Sequence, residues 1–146
     1  MITLVDIKKS VNDVLAITGM KTYGSEIKEG YKRPSFFVQI IPVTSDTFKK
    51  ETSENSLIVE MVYYSANKTD LENLQMYDIL RKNFGSSLKI GIRNILIRKF
   101  RAETIDDIDN IYSIKFNLNF YDEIEDDTPV TDMMQELNLN LNSRRQ

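Results

Sequence analysis

The sequence predicts an α+β domain, a mostly antiparallel sheet with two main helices packed on one face. Three observations carry that prediction. From Tyr112 to Phe120, large apolar side chains alternate with Ser113, Lys115, Asn117 and Asn119, the period of a strand with one buried and one wet face. Two stretches, one near the start and one after Thr69, place apolar residues at helical spacing. Three further runs rich in aromatic and β-branched residues, at 35–41, 57–65 and 93–103, supply sheet partners. A one-sided strand of this length suits an antiparallel sheet covered on one side only.

In chain order, Thr3 and Asp6 mark a helix start, the hydroxyl capping and the carboxylate facing the positive end of the helix. Leu4, Ile7, Val11, Val14 and Leu15 follow helical spacing, and Gly19 is a natural stop. Residues 20–34 read as a loop with room for one short edge strand near Lys21–Tyr23. The run S-F-F-V-Q-I-I from Ser35 to Ile41 is a strand closed by Pro42. The polar stretch after it, V-T-S-D-T-F-K-K-E-T-S-E-N-S, exceeds the usual hairpin loop of about two to five residues. It reads as a mobile tip or a docking arm. A strand resumes at 57–65 with Leu57, Val59, Met61 and Tyr63 on one face.

Thr69 or Asp70 opens the second helix, whose stripe is read as Leu71, Leu74, Tyr77 and Leu80, with Phe84 near its end and Gly85 as stop. A short strand at 88–90 precedes Gly91. Strand 93–103, a turn at 104–110 and strand 111–121 then form a hairpin. Ile95 and Ile97 must share a face with Tyr112, Ile114, Phe116 and Leu118, so paired residue numbers should sum to an odd value. Residues 1–123 thus form the domain. Residues 124–146 follow as an acidic break and then a short helix or flexible tail, with Met133, Met134 and Leu137 at helical spacing as a candidate adaptable contact surface.

With 146 residues the chain is long enough for one domain with a real core. No apolar run approaches the ~18 residues of a membrane span, and the first residues lack the basic start and apolar stretch of a signal peptide. The sequence holds no cysteine and no histidine. Disulfides, the commonest general base, the usual nucleophilic triads and standard zinc sites are thereby excluded. Chemistry on Asp, Glu, Lys or Tyr remains open. A net charge of −3 argues against sequence-independent DNA binding, which needs a clustered basic surface.

No catalytic, cofactor or metal set emerges. The glycines form no phosphate-binding loop, and D-D-I-D-N-I-Y lacks the glycine and distal glutamate of a calcium loop. Lys21–Tyr23 and Tyr31–Arg33 mix basic and aromatic groups that stack on single-stranded nucleic acid elsewhere; without a repeat of the pattern, a structural role is the better reading. Charge is the stronger signal. Arg93, Arg98, Lys99 and Arg101 lie in a stretch free of carboxylates, whereas Asp106, Asp107 and Asp109 open an acidic one. Two accounts fit: neutralisation within one subunit, or a bipolar surface whose positive edge meets the negative edge of the next copy. Phe48, Lys49 and Lys50, in the polar stretch after Pro42, are candidates for reaching a neighbour.

The element order and the segments K-R-P-S-F-F-V-Q-I-I-P, T-D-L-E-N-L-Q-M-Y-D-I-L and I-Y-S-I-K-F-N-L-N-F-Y resemble the tail terminator proteins of long-tailed bacteriophages and phage-like particles of Gram-positive bacteria, over roughly residues 1–123. The resemblance implies a subunit that assembles, typically as a six-membered ring, on the head-proximal end of a finished tail tube. There it ends polymerisation and offers a joining surface for the capsid connector or, in contractile particles, the last sheath layer. It implies no reaction and no cofactor, and the tube protein and further copies of itself as partners. Assembly would take place in the host cytoplasm, ahead of incorporation into the particle. A head–tail connector or tail-completion protein, and a small carboxylate-based enzyme or ligand-binding domain, are the competing readings.

Overall fold

The computed structural model describes residues 1–24 and 32–123. Helix α1 (Leu4–Leu15) begins in a full capping box: Thr3 Oγ1 accepts the Asp6 amide at 3.1 Å, and Asp6 Oδ2 accepts the Thr3 amide at 3.0 Å. A short 3-10 turn (Ala16–Thr18) ends at Gly19, whose φ of 74° is the left-handed stop the sequence predicts. The strands are β1 (Lys21–Tyr23), β2 (Ser35–Lys49), β3 (Thr52–Tyr64), β4 (Ser87–Ile90), β5 (Arg93–Asp106) and β6 (Ile111–Glu123), with helix α2 (Asp70–Phe84) between β3 and β4. They form one sheet in the order β1-β2-β3-β6-β5-β4. Among the described residues, only the β1–β2 pair is parallel. The predicted α+β class and the helix–strand order hold.

The core lies between the helices and one sheet face. Ile7, Val11 and Leu15 of α1 and Leu80 and Phe84 of α2 pack with Phe36, Val38, Val59, Met61, Ile114, Phe116 and Leu118. Phe84, Phe100 and Phe116 form an aromatic cluster, Phe100 stacked on Phe116 at 5.9 Å between centroids.

Four expectations need correction. Residues 43–56 are not a loop. β2 runs through Pro42 to Lys49, and β3 begins at Thr52, so a tight turn closes a long hairpin. Pro42 does not end β2 because β1 covers only Ser35–Phe37. The missing amide at Pro42 therefore falls on a strand edge that β1 leaves uncovered, next to a bulge at Val43.

The stripe on α2 is the second correction. Its buried residues are Asn73, Met76, Leu80 and Phe84, while Leu71 and Leu74 are 64% and 59% exposed. The third concerns register. Ile97 opposite Leu118 and Arg98 opposite Asn117 keep the odd sum, but Arg101 opposite Lys115 and Ala102 opposite Ile114 follow an even one. A bulge at Lys99–Phe100, with Lys99 at φ 54°, moves the core-facing positions from Ile95 and Ile97 to Phe100 and Ala102. Lastly, the far face is not wholly wet: Ser113 is fully buried and donates to Glu60 Oε2 at 2.6 Å.

Candidate assembly surfaces

Beyond Leu57 and Leu118 the sheet outruns its core. Every residue from Pro42 to Lys49 is exposed, and the stretch extends roughly 20 Å at ~3.3 Å per residue. This hairpin arm is backed by the end of β6, with Thr52 opposite Glu123 and Asn55 opposite Phe120. On one side of the arm Phe48 meets Tyr121 edge to face at 5.3 Å, and Lys49 Nζ sits 5.8 Å from the Phe48 ring centre. Arg93 braces the foot of the arm. It donates to the Tyr121 carbonyl at 2.8 Å, pairs with Asp122 at 3.5 Å and lies over the Phe120 ring.

The other side carries small polar residues joined in sequence. Ser45 Oγ donates to Asn55 Oδ1 at 2.6 Å, Asn55 Nδ2 to Ser53 Oγ at 3.0 Å, and Ser53 Oγ to the Asp122 carbonyl at 3.4 Å. Asp122 Oδ2 also accepts the Ile2 amide, tying the residues ahead of α1 to β6. Between them lies a cleft of about 550 Å³, walled by Ile2, Leu4, Pro42, Leu57 and Phe120.

On the open sheet face one cation, Lys115, is ion-paired and another, Arg101, is held by neutral acceptors. Lys115 Nζ lies between Glu103 at 3.5 Å and Glu60 at 3.8 Å. Arg101 donates to Asn117 Oδ1 at 2.9 Å and to the Lys99 carbonyl at 2.8 Å. At the far end of the sheet, Asp106 Oδ1 accepts the amides of Ile108 and Asp109 and shapes the β5–β6 turn. Asp109 pairs with Lys68 at 3.1 Å, and its carbonyl accepts from Arg33, which also donates to the Ser65 carbonyl at 2.9 Å.

The predicted contact residues therefore separate. Phe48, Lys49, Lys50 and Arg93 gather at the arm end, Arg98, Lys99 and Arg101 line mid-β5, and Asp106, Asp107 and Asp109 lie at the opposite end. Arg93 and Asp109 are ion-paired within their own chain, which favours neutralisation for those two, whereas Arg101 and Asp106 hydrogen-bond to uncharged groups. Arg98, Lys99, Lys50 and Asp107 stay exposed. Met133, Met134 and Leu137 lie outside the described residues.

Sequence reading missed the exposed Leu71 and Leu74 and the partnership of Tyr121 with Phe48. The clue for the first was present: Asn73, Met76, Leu80 and Phe84 have a helical spacing as good as the stripe chosen. Among the described residues no cluster of carboxylates fit for a metal occurs. The perturbed titrations are structural. Capping by Thr3 lowers Asp6, and burial raises Tyr63 and Tyr112.

No curated protein matches the chain. A solved structure described as the virion of a native gene transfer agent particle contains a chain of the same fold, at TM-score 0.52 and 10% identity over 80% of this chain and 91% of that one. The model of the family described as phage tail terminator protein matches residues 6–130. The chain belongs to that family, and it is a phage tail structural protein.

Proposed function

We propose that this protein closes the head-proximal end of a tail tube as a ring of six identical subunits, and that the β2–β3 arm is the element that reaches the tube end or the next subunit. The observation that carries the reading is the arm itself: in a tail terminator, an exposed hairpin bears Phe48, edge to face with Tyr121 of β6, and the cations Lys49 and Lys50. Interfaces concentrate binding energy in such aromatic and cationic anchors. A ring needs unlike surfaces on the two sides of each subunit. The arm and the exposed Leu71–Leu74 surface of α2 lie at opposite ends of the sheet and supply two candidates.

In this reading the domain of residues 1–123 forms the ring body, and residues 124–146 are an appended segment. The tube protein is the first partner, and the capsid connector or a last sheath layer the second. Assembly proceeds in the host cytoplasm and ends in the particle.

Negative-stain microscopy of the purified protein, alone and with its tube protein, tests this. Six-fold rings, or tubes of fixed length bearing a cap, are the expected result. A monomer that ignores tubes overturns it, and binding to connector proteins but not tube ends transfers the protein to the neck.

A further inference from the structure

The open face of the sheet carries a line of cations that closing a tube end does not use. We propose that Lys89, Arg98 and Arg101 form a contact surface for the phosphate backbone of double-stranded DNA. The inference goes beyond the ring reading and does not depend on how many copies assemble.

Register places the three on one face. Leu88, Ile90 and Ile95 are buried in the core, so strand alternation turns Lys89 and its cross-strand partner Asn94 to the other side. Arg98 lies opposite Asn117, whose chain neighbours Phe116 and Leu118 are core residues. In a regular strand Arg101 would face away from Arg98. The bulge at Lys99–Phe100 returns it to the open face, where it donates to Asn117 Oδ1 at 2.9 Å. The irregularity that moves the core register thus also sets two guanidinium groups beside Asn117. From Lys89 to Arg101 the line runs about 20 Å at ~3.3 Å per residue.

Charge is the second argument. Lys89, Arg98 and Arg101 are exposed, and none of them forms an ion pair among the described residues. Lys99, exposed at the bulge, adds a fourth positive charge. The sequence has no carboxylate between Asp78 and Glu103. On the adjoining rows of this face Glu60 and Glu103 are engaged by Lys115, and Glu54 lies opposite Tyr121 toward the arm, with Glu123 two residues on. The net charge of −3 conceals the cluster, because acidic groups such as Asp106, Asp107 and Asp109 gather at another end of the sheet.

Chemistry selects the partner. Guanidinium, ammonium and the side-chain amides of Asn94 and Asn117 are the groups that hold phosphate oxygens. Duplex DNA offers one negative charge per ~1.7 Å of axis, roughly a dozen along such a line. Single strands are gripped by successive exposed rings, whereas Tyr121, at the arm end of this face, is in contact with Phe48. An acidic protein would need aromatic or apolar anchors, and along the line Leu96 alone is strongly exposed. A sheet face lies across the backbone without entering a groove, so the contact is indifferent to base sequence.

Fluorescence anisotropy of labelled duplexes of about 30 base pairs with the full-length protein tests this. Two unrelated sequences should bind equally, and three phosphate contacts should weaken binding ~40-fold between ~50 and ~200 mM salt. Lys89→Gln with Arg98→Gln, which leaves the hydrogen bonds of Arg101 in place, should lower affinity roughly ten-fold at the lower salt and flatten the salt dependence. Lys89→Arg with Arg98→Lys should keep both, and thermal unfolding should be the same for all variants. Absence of binding at the lower salt, or binding that the glutamine variant leaves intact, overturns the proposal. Tighter binding of single strands or of polyglutamate than of duplex overturns it as well, the latter by assigning the surface to an acidic protein.

Discussion

Replacing Phe48 by Ala together with Lys49 by Glu separates folding from assembly. Phe48 is 58% exposed, so under half of its ~200 Å² is covered, worth at most about 2 kcal/mol at ~25 cal/mol per Å². Its edge contact with Tyr121 falls within that sum or adds under ~1 kcal/mol. Lys49 Nζ lies beside the Phe48 ring and forms no ion pair among the described residues. Against the ~5–15 kcal/mol of an ordinary domain the loss leaves the protein folded, with a fall in Tm of roughly ten degrees or less. If the arm makes the proposed contact, truncating an aromatic anchor costs ~1–4 kcal/mol per contact, about five-fold to nearly a thousand-fold in affinity. The reversal at Lys49 acts on the same contact in every subunit of the ring. The assay is paired: thermal unfolding of the purified variant, and particle yield with tail length by electron microscopy. Tails of normal length and number from a folded variant would refute the role of the arm.

Three further outcomes follow from the fold. Met76→Ala should cost about 2–5 kcal/mol because it empties a buried site on α2, whereas Leu74→Ser should stay within ~0.5 kcal/mol in urea unfolding of the unassembled protein. The reverse order would restore the stripe first read from the sequence. Lys99→Val should destabilise by ~1–2 kcal/mol, since a β-branched residue fits poorly at φ 54°, and Lys99→Gly should be neutral or stabilising by the same measurement. Burial first, then the nearby Glu72, pushes the Tyr63 phenol pKa up, and burial likewise pushes up that of Tyr112. Above pH ~10 the unfolded chain releases phenol protons that the folded chain retains. Stability should therefore hold below pH ~10 and fall as pH rises beyond it, less steeply in Tyr63→Phe.

The sheet core was legible because its strands have one dry face, and a dry face writes a period of two into the sequence. Ile114, Phe116, Leu118 and Phe120 are buried as that period requires. The arm was illegible for the same reason inverted. Both of its faces carry polar side chains, even where Ser53 is buried, so Ser45, Asp46, Ser53, Glu54 and Asn55 show no apolar alternation, and Pro42 looks like a stop unless the uncovered edge of β2 is known. The β5 bulge left a trace that was passed over: Ile95 and Ile97 are odd, Phe100 and Ala102 even, and the charged pair Arg98–Lys99 marks the change of step.

This difference between core and arm bears on function. A strand pair that continues well past its hydrophobic layer gains little from burial and still pays the entropy of ordering its residues. The hydrogen bonds of the hairpin and the Ser45–Asn55–Ser53 ladder offset part of that cost. Such a structure, with an exposed aromatic at its tip and an open strand edge along one side, is a poor investment for a monomer and a hazard for unplanned pairing. It makes physical sense when the arm is covered in the assembled particle. The same reasoning applies to Leu71 and Leu74, whose exposure adds nothing to the stability of the isolated subunit. The surfaces that the sequence concealed most thoroughly are therefore the ones where contacts with other subunits should be sought.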